Sequence, residues 1–226
     1  RLFWKHRSWL LEPLIDAEEC EARVLELVKA EGSKVCNGKV TDVMVLKAAQ
    51  GLSTPVGCTG LHVAAVPALL QSTAAPQTFA LLINCTSTDV PNHEGLASQY
   101  LHLPVPVGDK HRLERSLQRL LAAINDHLPH GPVCIACDTG TNVSACVCVA
   151  ALVLLFTPEH VFVPVESVGP ETVQAAGGTK ARIKHCQMYV ASSVPNACPD
   201  RNLTKQVNRF FLTSATHGAV NFAGAP

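Results

Sequence analysis

The chain has 226 residues, enough for one full hydrophobic core and too few for two ordinary domains. Hydrophobic residues make up 47% and charged residues 16%, which excludes a disordered, charge-driven chain. The longest apolar run, Ala145 to Phe156, falls short of the roughly 20 residues that span a bilayer, and the start RLFWKHRSWL lacks the apolar stretch of a signal peptide, so neither export nor anchoring is expected.

Taken in chain order, residues 1–50 read as an aromatic-anchored start (Phe3, Trp4, Trp9) followed by a helix from Asp16 with Val24, Leu25, Leu27 and Val28 on its apolar side. Gly51 to Gly60 is rich in turn formers, and Leu61 to Leu70 reads as a short helix interrupted at Pro67. FALLINC, from Phe79, is an apolar run bounded at once by turn residues, which predicts a fully buried strand. YLHLPVPV alternates and carries two prolines, so it predicts an edge strand leading into a loop. Between Gly108 and Pro129, Leu113, Leu117, Leu120, Leu121, Ile124 and Leu128 recur at helical spacing. The strand PVCIAC, the loop DTGTN and a helix opened by Ser144 and apolar nearly all round follow directly. Strand, helix, strand, tight loop, helix is βα alternation, and the expected fold is α/β with a central, mostly parallel sheet flanked by helices. Further on, Gly177 and Gly178 introduce a helix with Ile183, Cys186, Tyr189 and Val190, and a proline-punctuated loop separates it from a last helix capped by Asn202. The expected division is 1–50, a helical segment and junction; 51–214, the α/β domain with basic C-terminal helices; and 215–226, a flexible tail.

Ten cysteines lie mostly in apolar runs, as Cys134, Cys146 and Cys148 do, which reads as buried thiols in a reducing compartment, cytoplasmic or nuclear, rather than a disulfide framework. Cys134 and Cys137 form CxxC, but no second pair follows at metal spacing, and no metal site is assigned. His93, His102 and His111 read as polar surface residues, and Gly57 to Gly60 (GCTG) as a structural turn rather than a second phosphate loop.

The segment with chemical shape is CIACDTGTNVS. A buried strand delivers Cys137 to a loop whose one glycine, Gly140, can adopt a backbone closed to other residues, and the loop passes into a helix at Ser144. Successive N–H groups joined to a helix N-terminus make a concave anion site, which predicts phosphate at Cys137, Asp138, Thr139, Gly140, Thr141, Asn142, Val143 and Ser144. This loop resembles the signature of the cysteine-dependent and dual-specificity phosphatases, His-Cys-x-x-Gly-x-x-Arg-Ser, with Ala136 in place of the histidine and Val143 in place of the arginine. Asp109 falls roughly where that family carries its general acid. The arginine clamps the transferring phosphoryl group, so the resemblance implies a degenerate loop and no phosphatase activity; Cys137 and Asp109 occupy former catalytic positions, and the catalytic residues of any other reaction stay unassigned.

A longer resemblance covers most of residues 2–214. LLINCTS, YLHLPVPVGDK, VCIACDTGTNVSACVCVAALVLLF and above all ARIKHCQMYVASSVPNACPDRNLTKQVNRFFLT resemble the C-terminal, phosphatase-like domain of the initiator tRNA phosphoribosyltransferase family. The resemblance implies a pentosyltransferase that moves a 5-phosphoribosyl group from 5-phosphoribosyl diphosphate to the 2'-hydroxyl of adenosine 64 of initiator tRNA. The implied partners are that tRNA, the donor with Mg2+ beside its diphosphate, and a larger N-terminal region of the same protein. The alternative is a non-catalytic pseudophosphatase module that binds phosphate or RNA, or that stabilises an absent catalytic half. On the readings in which the chain binds RNA, Lys110, Arg112, Arg115, Arg119, Lys180, Lys184, Lys205 and Arg209 are the expected contacts, since a formal net charge of zero conceals an acidic stretch from Glu12 to Glu31 and these basic clusters further on.

Overall fold

The computed structural model describes residues 52–71, 79–91, 93–194 and 196–217, with side chains as far as 212. The helix expected from Asp16, the whole 1–50 segment and residues beyond 217 lie outside the described residues.

Among the described residues a five-stranded sheet has the order β1-β2-β5-β3-β4, with β1 Thr54–Pro55, β2 Leu61–Ala65, β3 Phe79–Asn84, β4 Ala97–His102 and β5 Val133–Cys137. Every pairing is parallel except β1 with β2, so the expected mostly parallel α/β fold is what forms. Both continuous apolar runs are internal strands, and β4 lies at the edge, where its flanking prolines cost no ladder bonds. Every residue of β3 and β5 is buried because helices cover both faces.

The larger core lies on one face, where Val63, Leu81, Ile83, Val133 and Ile135 meet α2 Arg112–His127 and α3 Val143–Leu155, on which α5 Lys180–Ser193 and α6 Arg201–His217 pack in turn. Leu113, Leu117, Leu120, Leu121 and Ile124 of α2 are fully buried, each contributing about 1.5–3 kcal/mol of apolar transfer as an upper estimate. All thirteen residues of α3 are buried, as its unbroken apolarity predicts. A smaller cluster on the other face packs Leu82, Cys134 and Ala136 against α1 Val66–Gln71. The short helix α4 Pro170–Ala175 lies between α3 and α5 in the chain.

Three local expectations change. Leu61 to Ala65 is a strand, and Pro67 sits in the first turn of α1, where a missing N–H costs nothing; the strand owes its existence to the distant β5 beside it. Helix α3 starts at Val143 with Asn142 at its cap position, and the Ser144 hydroxyl turns inward instead of capping. Asp200, rather than Asn202, caps α6, accepting the Asn202 N–H at 2.6 Å on its carboxylate and the Thr204 N–H at 3.0 Å on its carbonyl. That helix also runs to His217, past the boundary expected at 214.

Candidate functional site

Strands β2, β3, β4 and β5 run parallel, so Ala65, Asn84, His102 and Cys137 end at one edge of the sheet, the edge where open α/β folds place ligands. From the end of β5 the chain turns through Asp138 to Asn142 and enters α3. Gly140 has φ 71°, and a Cβ there would come within 2.8 Å of the backbone of Ala64 and Ala65. Both the conformation and the close approach to β2 therefore require glycine.

The Cys137 thiol forms the floor of this loop. Its Sγ lies 3.2 Å from Ser144 Oγ and 3.9 Å from Thr139 Oγ1. Burial pushes the thiol up, but hydrogen bonds from the Ser144 hydroxyl and from the N–H groups of Ser144, Asn142 and Thr139 outweigh it, and the net shift is below the ordinary value. Cys134 behaves oppositely, pushed up to about 12 by burial alone, and it faces the smaller core while Cys137 faces the larger, so the CxxC spacing brings no two thiols together.

The wall of the loop lacks charge of the right sign. Val143 is 3% exposed and packs in the core, so no guanidinium comes from the loop, while Asp138 is an exposed carboxylate. Asp109 is engaged elsewhere: its Oδ1 accepts the N–H groups of His111 at 2.8 Å and Arg112 at 2.9 Å, and its Oδ2 lies 3.4 Å from Arg115. The His111 N–H bond, with lesser help from Arg112 and Arg115, holds this carboxyl below the usual carboxylate range. With both of these N–H groups on its Oδ1, Asp109 organises the start of α2.

The tail clasps the loop from behind. Thr141 C=O accepts the Cys198 N–H at 3.1 Å, and Asn142 Oδ1 accepts the Asp200 N–H at 2.8 Å. Gln206, fully buried, joins α6 to α2 by accepting the Glu114 N–H at 3.2 Å and donating to Asp109 C=O at 2.9 Å. Sequence reasoning missed Asn142, Asp200 and Gln206 as organisers, because their partners lie 58 to 97 residues away; the only signal was the density of tail residues matching the family pattern.

The basic residues divide. Arg209 pairs with Glu114 at 2.8 Å and also donates to Lys110 C=O, Arg115 meets Asp109, and Arg112 Nε donates to Pro104 C=O at 3.0 Å. Lys110, Arg119, Lys180, Lys184 and Lys205 are on the surface. His102 and His93 hold the carbonyls of Thr86 and Val90 at 2.9 and 3.1 Å, and His111 lies 3.6 Å from Glu114. The GCTG turn satisfies itself, with Thr59 Oγ1 donating to Val56 C=O and accepting the Leu61 N–H, and it joins β1 to β2. A cavity of about 240 Å3 opens beside the loop, lined by Ser53, Thr54, Ala65, Thr139, Thr141 and Asn196. Among the described residues no group of three or more His, Cys, Asp or Glu side chains could hold a metal ion. No described helix is long and apolar enough to cross a membrane.

A parallel sheet that ends in a cysteine loop, a helix behind that loop and a lost arginine together define a dual-specificity-phosphatase-like domain with a degenerate phosphate loop. Solved structures of that fold align over most of the chain. Human DUSP28, in a Y102H form, aligns with a TM-score of 0.52 at 18% identity over 74% of this chain and 99% of its own. A mouse dual specificity phosphatase complexed with zinc tungstate aligns with 0.51 at 20% identity, over 74% and 91%, and human tyrosine phosphatase-like serine/threonine/tyrosine-interacting protein with 0.50 at 14%, over 74% and 98%. At these identities the likeness is one of fold. Residues 99–211 match the family described as the Rit1 DUSP-like domain, and the chain belongs to that family, the initiator tRNA phosphoribosyltransferases. No curated protein matches the sequence.

Proposed function

We propose that this chain is a transferase acting on initiator tRNA, or the C-terminal part of one, and that its Cys137–Ser144 loop seats a phosphate without cleaving it. The reaction would join the 2'-oxygen of adenosine 64 to C1' of the phosphoribosyl donor. The C1' bond to the diphosphate breaks, and the proton of the 2'-hydroxyl leaves with the departing diphosphate. The observation that supports a seat rather than a hydrolase is the loop itself: the floor of inward N–H groups and Ser144 Oγ is kept, whereas the guanidinium is replaced by the buried Val143. A phosphate held by N–H groups alone keeps its ester bond, because nothing clamps the trigonal oxygens of a transition state.

The exposed cations on α2, α5 and α6 would meet the tRNA backbone, where an A-form duplex is read through phosphates and 2'-hydroxyls. Arg119 and Lys205 are the best candidates, being exposed, while Arg209 and Arg115 are tied to carboxylates. Removing either of the first two should lower the salt dependence of tRNA affinity by a slope of roughly 0.7–0.9. The deciding experiment incubates the chain with initiator tRNA and a donor labelled in its ribose. Label on the 2'-oxygen of adenosine 64 supports the transferase; salt-dependent binding without label supports the binding-module reading; neither binding nor label overturns both.

A further inference from the structure

We propose that the groove between α5 and α6 holds one unpaired nucleobase of the bound RNA, a purine in preference to a pyrimidine, so that this face reads a base as well as a backbone. The inference rests on the reading that the chain binds RNA. Lys184, Gln187, Met188 and Ala191 stand at i, i+3, i+4 and i+7, a single stripe of α5 that runs alongside its buried Ile183, Cys186 and Val190. Helices α5 and α6 both pack on α3, whose buried Val149 also lines the groove, and Pro199 and Thr204 belong to its α6 end. The resulting cavity of about 360 Å3 falls within the roughly 300–1,000 Å3 of small-ligand sites. Met188 is 65% exposed, more than any other large apolar side chain among the described residues, and a thioether makes favourable contact with an aromatic ring.

Charge and polarity select a nucleic acid. Lys184 lines the groove, Lys180 lies one turn before it on α5, and Arg201 and Lys205 flank Thr204 on α6; all four bases are exposed. Between Gly178 and Leu212 the one acidic residue is Asp200, and its carboxylate already accepts the Asn202 N–H at 2.6 Å. Cations around an apolar slot fit a polyanion that carries flat rings: its phosphates meet the ammonium and guanidinium groups while one ring enters the slot. Inside, the Thr204 hydroxyl donates to Asp200 C=O at 3.2 Å, whereas the half-buried Gln187 amide has no hydrogen-bond partner among the described residues. A carboxamide sets an acceptor beside a donor, which a base edge meets with one bond each way and an apolar peptide side chain leaves unpaired. A purine buries more ring surface there than a pyrimidine, which sets the preference.

The test titrates the full chain with three RNA hairpins of one stem sequence: fully paired, with a single bulged adenosine, and with an abasic bulge in its place. The bulged adenosine should bind about tenfold more tightly than either of the others at equal salt, as expected for one stacked base. Ala191→Phe, at an exposed position, fills the groove and should bring the three affinities together, and Gln187→Leu should reduce the preference; neither should change the salt slope, because neither removes a phosphate contact. Equal salt-dependent binding to all three hairpins, or a preference that survives either substitution undiminished, would overturn the groove assignment and leave the RNA reading standing. No binding to any hairpin would overturn both. A glutamate-rich amphipathic peptide that binds the chain but not Ala191→Phe, with no effect of the bulge, would give the groove to a protein. A dimer that Ala191→Phe disperses would give it to a second copy, and either result overturns the proposal.

Discussion

The floor and the wall of the Cys137 loop have followed different courses. The floor is made mostly by backbone: N–H groups of Thr139, Asn142 and Ser144, a glycine in a left-handed conformation, and a buried hydroxyl 3.2 Å from the thiol. The wall is made by side chains, and there valine replaces arginine while the carboxylate at the acid position accepts the N–H groups of His111 and Arg112 where α2 begins. The difference teaches that a loop set by strand, glycine and helix keeps its shape without its chemistry, because shape depends on the fold and the lost chemistry on two side chains.

The largest expected effect strikes the floor at Gly140. Alanine there must adopt φ 71° and push its Cβ into the backbone of Ala64 and Ala65, so Gly140→Ala should lose about 2–5 kcal/mol in urea denaturation, the sum of left-handed strain and overpacking. A loss below half a kilocalorie would mean that the loop relaxes freely and the floor is not held by the fold.

Ser144→Ala comes next, with a cost of about 1–2 kcal/mol for a buried hydrogen bond to sulfur charge. Its sharper signature is pH dependence. Because the folded-state pKa of Cys137 lies below 9.0, the thiolate adds stability that is complete above that value and is lost as pH falls through the folded value. In Ser144→Ala this rise of stability towards pH 9 should flatten, and alkylation of Cys137 at neutral pH should slow. An unchanged alkylation rate would remove Ser144 from the floor.

Asn142→Ala unties the tail from the loop and should cost about 0.5–1.5 kcal/mol. Asp109→Ala sharpens the contrast from the wall side: the melting temperature should fall slightly while phosphate binding at the loop stays the same. A phosphate affinity that changes with Asp109 would return this carboxylate to the site. The smallest effect belongs to the Glu114–Arg209 pair, whose double-mutant cycle should give about 0–1 kcal/mol, since both groups are partly exposed.

How far the sequence spoke for itself follows the same division. The five buried apolar positions of α2, strands β3 and β5 and the all-buried α3 are legible because apolar period and run length decide them locally. Strand β2 is not, since LHVAA becomes a strand only against β5, some seventy residues away. The loop was legible as a shape through Cys137, Gly140 and Ser144, yet the direction of the Ser144 hydroxyl was not, because a serine at a helix start caps or turns inward according to what lies behind it. Asp109 shows the limit most clearly: its spacing after β4 suggests a former active-site position, and only the fold shows its carboxylate accepting the N–H groups of His111 and Arg112.

The most direct measurement follows the backbone amide signals of the chain by NMR while inorganic phosphate is added. Thr139, Asn142 and Ser144 should show saturable shifts, with no change at the Gly57–Gly60 turn and no hydrolysis of an added phosphomonoester. Silent loop amides at high phosphate, or turnover of the ester, would contradict the central claim that the loop is an intact seat without a catalytic wall.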